Sequence, residues 1–226
     1  MKHSDLTLSA VARVLPAKNK TARLYSRIGK RALDLVLVVL ALPVALPVIA
    51  GLWLLVRRDG GFGFYAQERI GRDGRVFACW KLRTMQMDAE KQLEKLCRID
   101  PELAAEWARD QKLERDPRIT KIGAFLRASS LDELPQIFNV LRGDMSLVGP
   151  RPFMISQEPL YRDAGGSAYF DMRPGITGPW QIDGRSGTTF VERIAYDNAY
   201  AQSLSLRADI ALLLRTVSVV LNRTGR

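Results

Sequence analysis

Histidine is nearly missing from this sequence: His3, in a basic N-terminal segment, is the only one among 226 residues. That scarcity argues against a catalytic cysteine–histidine pair and against a histidine-bearing zinc site. Cysteine is scarce as well. Cys79 and Cys97 have neither metal-ligand spacing nor the density of a disulfide framework, which predicts a reducing, cytosolic setting. No GxxxxGK[ST] occurs, so a P-loop kinase is excluded at motif level. Internal repeats and low-complexity tracts are absent too. No secretory signal is expected: the one long apolar run starts after residue 30, exceeds an h-region in length and lacks a small-residue cleavage site.

What is present is a chain long enough for one globular core with appendages. Its 47% hydrophobic and 26% charged residues are those of a folded protein, not a disordered one. The net charge of +10 is unevenly placed. Met1–Arg31 carries eight cations against one anion, Asp5, leaving only +3 for everything after it. A nucleic-acid-binding surface would explain the pI of 9.9 but not this concentration of charge beside an apolar run. Attraction to anionic lipid head groups explains both.

The apolar run, Leu35–Val56, holds 22 residues without a formal charge. As a helix it would extend about 33 Å, enough to cross a bilayer core. Pro43 and Pro47 interrupt it near its midpoint, each removing a backbone donor. Both ends are basic, with Arg27, Lys30 and Arg31 before and Arg57 and Arg58 after. A spanning helix should show that bias on one side only. The expectation is therefore a helix that enters, breaks at the prolines and returns to the same face.

Downstream, Phe64–Ile70 and Val76–Leu82 read as strands of a hairpin around Gly71-Arg72-Asp73-Gly74. Asp88–Asp116 reads as helix interrupted at Asp100-Pro101, with a solvated charged face. Lys121–Arg127, Glu133–Leu141 and Phe190–Leu204 read as further helices, and Arg173–Gly187 as an irregular glycine- and proline-rich segment. Asp209–Leu221 is a nearly all-apolar helix carrying Arg215, suited to buried core or to a membrane interface. The predicted class is α/β and mostly helical.

The most chemically loaded segment is RASSLDELPQIFNVLRGDMSLVGPRP, residues 127–152. Ser130 with Glu133 three residues on has the pattern of a capping box. The alternative reading is chemical: a helix start favours an anion, so an ionised Asp132 could attack phosphorus beside a metal-holding Glu133. Arg127, Arg151 between two prolines, Lys81 and Arg83 at a strand end, and Arg185 after a glycine supply cations suited to phosphate oxygens. Lys81 and Arg83, two apart, are expected on one face.

KLRTM (81–85), DPRIT (116–120), LRASSLDELPQIFNVLRGDMSLVGPRP (126–152) and RPGITGPWQIDGR (173–185) together resemble the bacterial sugar transferase family. Its members are monotopic polyprenyl-phosphate phosphoglycosyl transferases, and the likeness covers roughly residues 30–220. It is greatest to the compact exopolysaccharide-production members that load galactose- or glucose-phosphate. The resemblance implies a tail (1–29), a re-entrant membrane helix (30–58) and a cytosolic catalytic domain (59–226) with interfacial amphipathic helices. The implied setting is the cytoplasmic face of a bacterial inner membrane. It implies Asp132 as nucleophile toward the β-phosphorus of a UDP-sugar, with UMP released and polyprenyl phosphate as acceptor. Glu133 would coordinate Mg²⁺. Lys81, Arg83, Arg127 and Arg151 would lie near the phosphates, Arg185 near the nucleotide, and Asp209 in support. Membrane lipids are the expected surroundings, and a homodimer is compatible with the family. Two departures stand out: Leu46 precedes Pro47 where serine is usual, and Pro179 replaces a common apolar residue. A non-enzymatic membrane-surface adapter would explain the tail and anchor but not Asp132-Glu133.

Overall fold

The structure, a computed structural model, describes residues 24–58, 60–110, 113–184 and 188–221. Most of the basic tail and Arg185 lie outside them. A π-helical turn, Tyr25–Gly29, leads into α1 (Lys30–Arg57). The hairpin follows as β1 (Phe64–Ile70) and β2 (Val76–Leu82), antiparallel from Phe64 opposite Leu82 to Ile70 opposite Val76. Both strands and the turn fall where the alternation of the sequence predicts them. Next come α2 (Ala89–Ile99), α3 (Pro101–Asp110), α4 (Lys121–Ser129) and α5 (Gln136–Arg142).

β3 (Ser146–Val148), α6 (Glu158–Asp163), β4 (Gly175–Thr177), α7 (Arg193–Ser203) and α8 (Leu206–Leu221) follow. β3 and β4 form a second, parallel two-stranded sheet, Ser146 opposite Gly175 and Val148 opposite Thr177. Sequence alternation gave no sign of it, because three-residue strands are too short to carry a period. It holds two of the motif segments together: Gly149 N–H donates to Thr177 O at 2.8 Å and Gly175 N–H to Pro150 O at 2.9 Å. A Cβ on Gly175 would sit 2.1 Å from Gly149 N, so the approach requires glycine.

α1 is apolar on nearly every side. Only 11% of its most apolar window is buried in the protein, which rules out an ordinary core helix. Val36, Val39, Leu40, Val44, Leu54 and Leu55 are exposed. α1 stays helical through Pro43 and Pro47. Lacking N–H groups, those prolines leave the carbonyls of Val39 and Pro43 without their helical donors. Residues on either side of them share one core cluster: Val38 and Ile49 pack with Cys79, Ile137, Val140 and Met145. At one end, Lys30 Nζ meets Asp209 Oδ2 at 2.7 Å, and Asp34 Oδ1 accepts from Leu147 N–H at 3.0 Å. At the other, Val56 packs with Leu82 and Leu126. α1 is thus fastened to one domain along its length.

Three local readings are corrected. The charged helix does not continue to Asp116; Asp116 and Arg118 form a buried clip instead, with Arg118 Nη2 2.6 Å from Asp116 Oδ2. Glu133–Leu141 begins as a 3₁₀ turn, Leu131–Glu133, with α5 starting only after Pro135. Ser130 does not close a capping box. It takes a left-handed conformation, φ 57°, as the joint at which α4 ends and the 3₁₀ turn begins. That conformation is costly for a non-glycine residue and fixes the direction of the next three side chains.

Candidate active site

Glu133 is the hub of the site. Its Oε1 accepts from Lys81 Nζ at 2.8 Å and from Arg151 Nη2 at 3.2 Å. Each partner is placed by a different device. Lys81 lies near the end of β2, Glu133 ends the 3₁₀ turn, and Arg151 stands between Pro150 and Pro152, just past the β3–β4 pairing. An open pocket there is lined by Arg69, Cys79, Lys81, Glu133, Gln136 and Arg151 among others. The sequence reading brought Glu133, Lys81 and Arg151 together, and the fold does the same.

Asp132 is 8% exposed, so its carboxyl is withdrawn from solvent. Burial raises its pKa above the ordinary carboxylate value; Lys81 opposes that, Glu133 adds to it and Arg127 opposes it. Lys81 therefore serves both acids. Arg127 stands on the other flank, its Nε donating to Thr84 Oγ1 at 2.9 Å. Thr84 is held by close backbone packing: a Cβ on Gly123 would fall 1.9 Å from Thr84 O.

Other predicted residues are elsewhere. β2 ends at Leu82, so alternation no longer governs Arg83, and its side chain departs from the Lys81 face. It donates to Phe62 O at 2.7 Å, Met85 O at 2.9 Å and Val56 O at 3.1 Å, clamping the end of α1. Asp209 is fully buried at the root of α1, bonded to Lys30, to Tyr200 Oη at 2.6 Å and to Tyr25 Oη at 2.5 Å. It is not brought to the Glu133 cluster. Arg185 lies outside the described residues. Pro43 and Pro47 are on the exposed side of α1.

Three residues escaped the sequence reading. Arg69 enters the pocket from β1. Asn139, fully buried, binds the edge of β2 by accepting from Trp80 N–H at 3.0 Å and donating to Ala78 O at 2.7 Å. Arg193 lies over the rings of Phe153, Tyr169, Trp180 and Phe190, pairs with Asp197 at 3.5 Å and donates to the carbonyl of Arg151. The last two support the site from behind, and no local motif marks them. The hairpin register did contain Arg69, on the Lys81 face.

Among the described residues no group of three His, Cys, Asp or Glu side chains could hold a metal. Two adjacent carboxylates do fit a magnesium ion that takes its remaining ligands from substrate phosphates and water. Glu133, with Asp132 beside it, would be the protein's contribution.

These features define an α/β domain with a basic, carboxylate-bearing pocket, seated on a long apolar helix. The chain belongs to the bacterial sugar transferase family, whose model matches residues 25–223. It is 44% identical over 212 residues to the undecaprenyl-phosphate galactose phosphotransferase of Salmonella typhimurium, covering 94% of this chain and 44% of that one. Identity is 42% over 211 residues to the exopolysaccharide production protein ExoY of Rhizobium meliloti, covering 91% of each. To the UDP-glucose:undecaprenyl-phosphate glucose-1-phosphate transferase of Escherichia coli it is 35%, over 95% of this chain and 45% of the relative. The chain thus spans less than half the length of the Salmonella and Escherichia relatives.

Proposed function

We propose that this protein transfers a sugar 1-phosphate from a UDP-sugar to polyprenyl phosphate, the first membrane step of exopolysaccharide synthesis. One observation carries the reading: Asp132 is buried beside Glu133, whose carboxylate is shared by Lys81 and Arg151. In this reading an oxygen of ionised Asp132 attacks the β-phosphorus of the UDP-sugar. The bond from that phosphorus to the UMP oxygen breaks, UMP leaves, and a sugar-phosphoryl aspartate remains. A phosphate oxygen of the polyprenyl acceptor then attacks the same phosphorus, freeing Asp132 and giving polyprenyl diphospho-sugar. Lys81 and Arg151 neutralise the phosphoryl oxygens as charge shifts toward the leaving group. Bound Mg²⁺ would add charge neutralisation on the diphosphate.

α1 supports a monotopic placement on the cytoplasmic face of a bacterial inner membrane. Its two ends and both flanks of the prolines pack on the same domain, whereas a spanning helix would separate its ends by about 30 Å of hydrocarbon. In this reading the carbonyls left without donors at Pro43 and Pro47 let α1 bend, so that it enters and leaves by one face. The exposed stripe of Leu206, Ile210, Leu214 and Val217 on α8 suits the interface beside it. Galactose and glucose are the sugars that the names of the relatives favour.

The experiment is to supply detergent-solubilised protein with Mg²⁺ and individual UDP-sugars, without acceptor. The expected result is a burst of UMP, stoichiometric with enzyme, for one sugar and not the others. A sugar-independent release, or none until polyprenyl phosphate is added, would contradict the two-step reading.

A further inference from the structure

The hairpin face that carries Lys81 also carries a second cation. β1 and β2 pair Tyr65 with Lys81, Gln67 with Cys79 and Arg69 with Phe77. Side chains two apart on a strand, and those directly opposite across the pair, share a face. Arg69 and Lys81 therefore look the same way, and both line the open pocket with Arg151 and Glu133.

Arg69 donates to Pro152 O at 3.3 Å and to Gln67 Oε1 at 2.5 Å. Both acceptors are neutral. The well-buried Arg118 and Arg193, by contrast, each face a carboxylate, at 2.6 and 3.5 Å. Burial lowers the pKa of Arg69; Cys79 opposes that, nearby Arg151 adds to it, and Glu133 gives weaker support. Among the described residues, three cations thus line one pocket with a single carboxylate, Glu133. A guanidinium desolvated near its like is stabilised by an anion, and its fork suits phosphate oxygens. Arg69, Lys81, Glu133 and Arg151 all line the pocket, whereas Asp132, on the far side of Glu133, does not. Arg69 therefore stands one step farther along the pocket than the attacking acid.

We infer that Arg69 is a substrate-binding residue of this pocket, holding the phosphate of a diphosphate that is not attacked. Lys81 and Arg151 face the attacked phosphate. This assignment rests on the transferase reading above and adds a residue to it.

The test is calorimetric titration of the detergent-solubilised full chain with pyrophosphate and with inorganic phosphate. Wild type is expected to bind pyrophosphate about tenfold or more tighter, the size of one charge-assisted contact. Arg69→Gln should lose that preference while its affinity for inorganic phosphate stays within about twofold, a selectivity that general loosening of the hairpin would not produce. If Arg69→Gln does not fold, Arg69→Lys is read instead; it keeps the charge without the fork and should lose at least about threefold of the preference. A wild type without the preference, or a folded variant that keeps it in full, overturns the assignment. Sugar-phosphate transfer is scored separately. An active wild type with an unchanged Arg69→Gln preference sinks the Arg69 role alone; a pyrophosphate-selective wild type that never transfers sinks the transferase reading.

Discussion

The side-chain amide of Asn139 accepts from the backbone N–H of Trp80 at 3.0 Å and donates to Ala78 O at 2.7 Å, standing in for a third strand along β2. The contact couples α5, which follows Glu133, to the strand that carries Lys81. Asn139→Ala leaves two backbone groups without their partner, at about 1–3 kcal/mol each. A fall in Tm of about 5–10 °C is expected by differential scanning fluorimetry, given about 2–4 °C per kcal/mol at this chain length. Transfer activity should fall as well, because the Lys81–Glu133 pairing loses its frame. A change under about 1 °C would show that the edge contact contributes little.

Asp132 makes a signed prediction for stability. Its folded pKa is raised, so the fold favours the protonated acid, and ionisation as pH rises through that value costs stability. Asp132→Asn should therefore have a higher Tm than wild type at neutral pH. The gap should close as pH falls toward the ordinary aspartate value of about 4. Activity runs the other way. The ionised form attacks, so the acid limb of the pH–rate profile lies above that value, and Asp132→Asn loses at least about 10³-fold. Equal Tm values across the whole range would contradict the burial argument.

Lys81 and Arg83, two residues apart, should separate cleanly. Lys81→Gln is expected to cost at least about 10²-fold in transfer while leaving the fold cooperative. Arg83→Gln removes the clamp on Phe62, Met85 and Val56 carbonyls and should lower Tm by several degrees, about 1–3 kcal/mol per orphaned group. Urea melts and initial rates on both variants check the division. A silent Lys81→Gln, or an Arg83→Gln that melts like wild type, would reverse it.

The path of α1 can be read by labelling. Single cysteines at Arg27 and Asp73, in a chain lacking Cys79 and Cys97, should react with a membrane-impermeant maleimide from the same side of sealed vesicles. Protection of one while the other reacts would mean that the helix crosses. Pro43→Ala with Pro47→Ala restores two backbone donors and is expected to favour crossing, moving Arg27 to the opposite side.

Much of this architecture was legible because it is local. The hairpin follows from period-two alternation about a Gly-Arg-Asp-Gly turn, and the long apolar helix from 22 uncharged residues. The grouping of Glu133 with Lys81 and Arg151 was legible through motif order. What escaped depends on distant partners. Asn139 sits among apolar residues of a helix and acts on a strand 59 residues earlier. Arg193 reads as one more helical cation until four aromatic rings gather near it, and the β3–β4 pairing is too short to announce itself. Lys30 reads in sequence as a flanking cation and Asp209 as a supporting acid; in space, 179 residues apart, they form one buried pair at the root of α1. Breaking such a pair costs about 3–5 kcal/mol, so loss of function in Asp209→Ala should come with loss of fold.

The central claim is that Asp132 carries the phospho-sugar. Intact-protein mass spectrometry after brief exposure to UDP-sugar and Mg²⁺, without acceptor, tests it most directly. Wild type should gain the mass of one sugar phosphate, mapped to the peptide containing Asp132 and discharged by polyprenyl phosphate, while Asp132→Asn gains nothing. An adduct on Asp132→Asn, or wild-type transfer by that variant, would contradict the account.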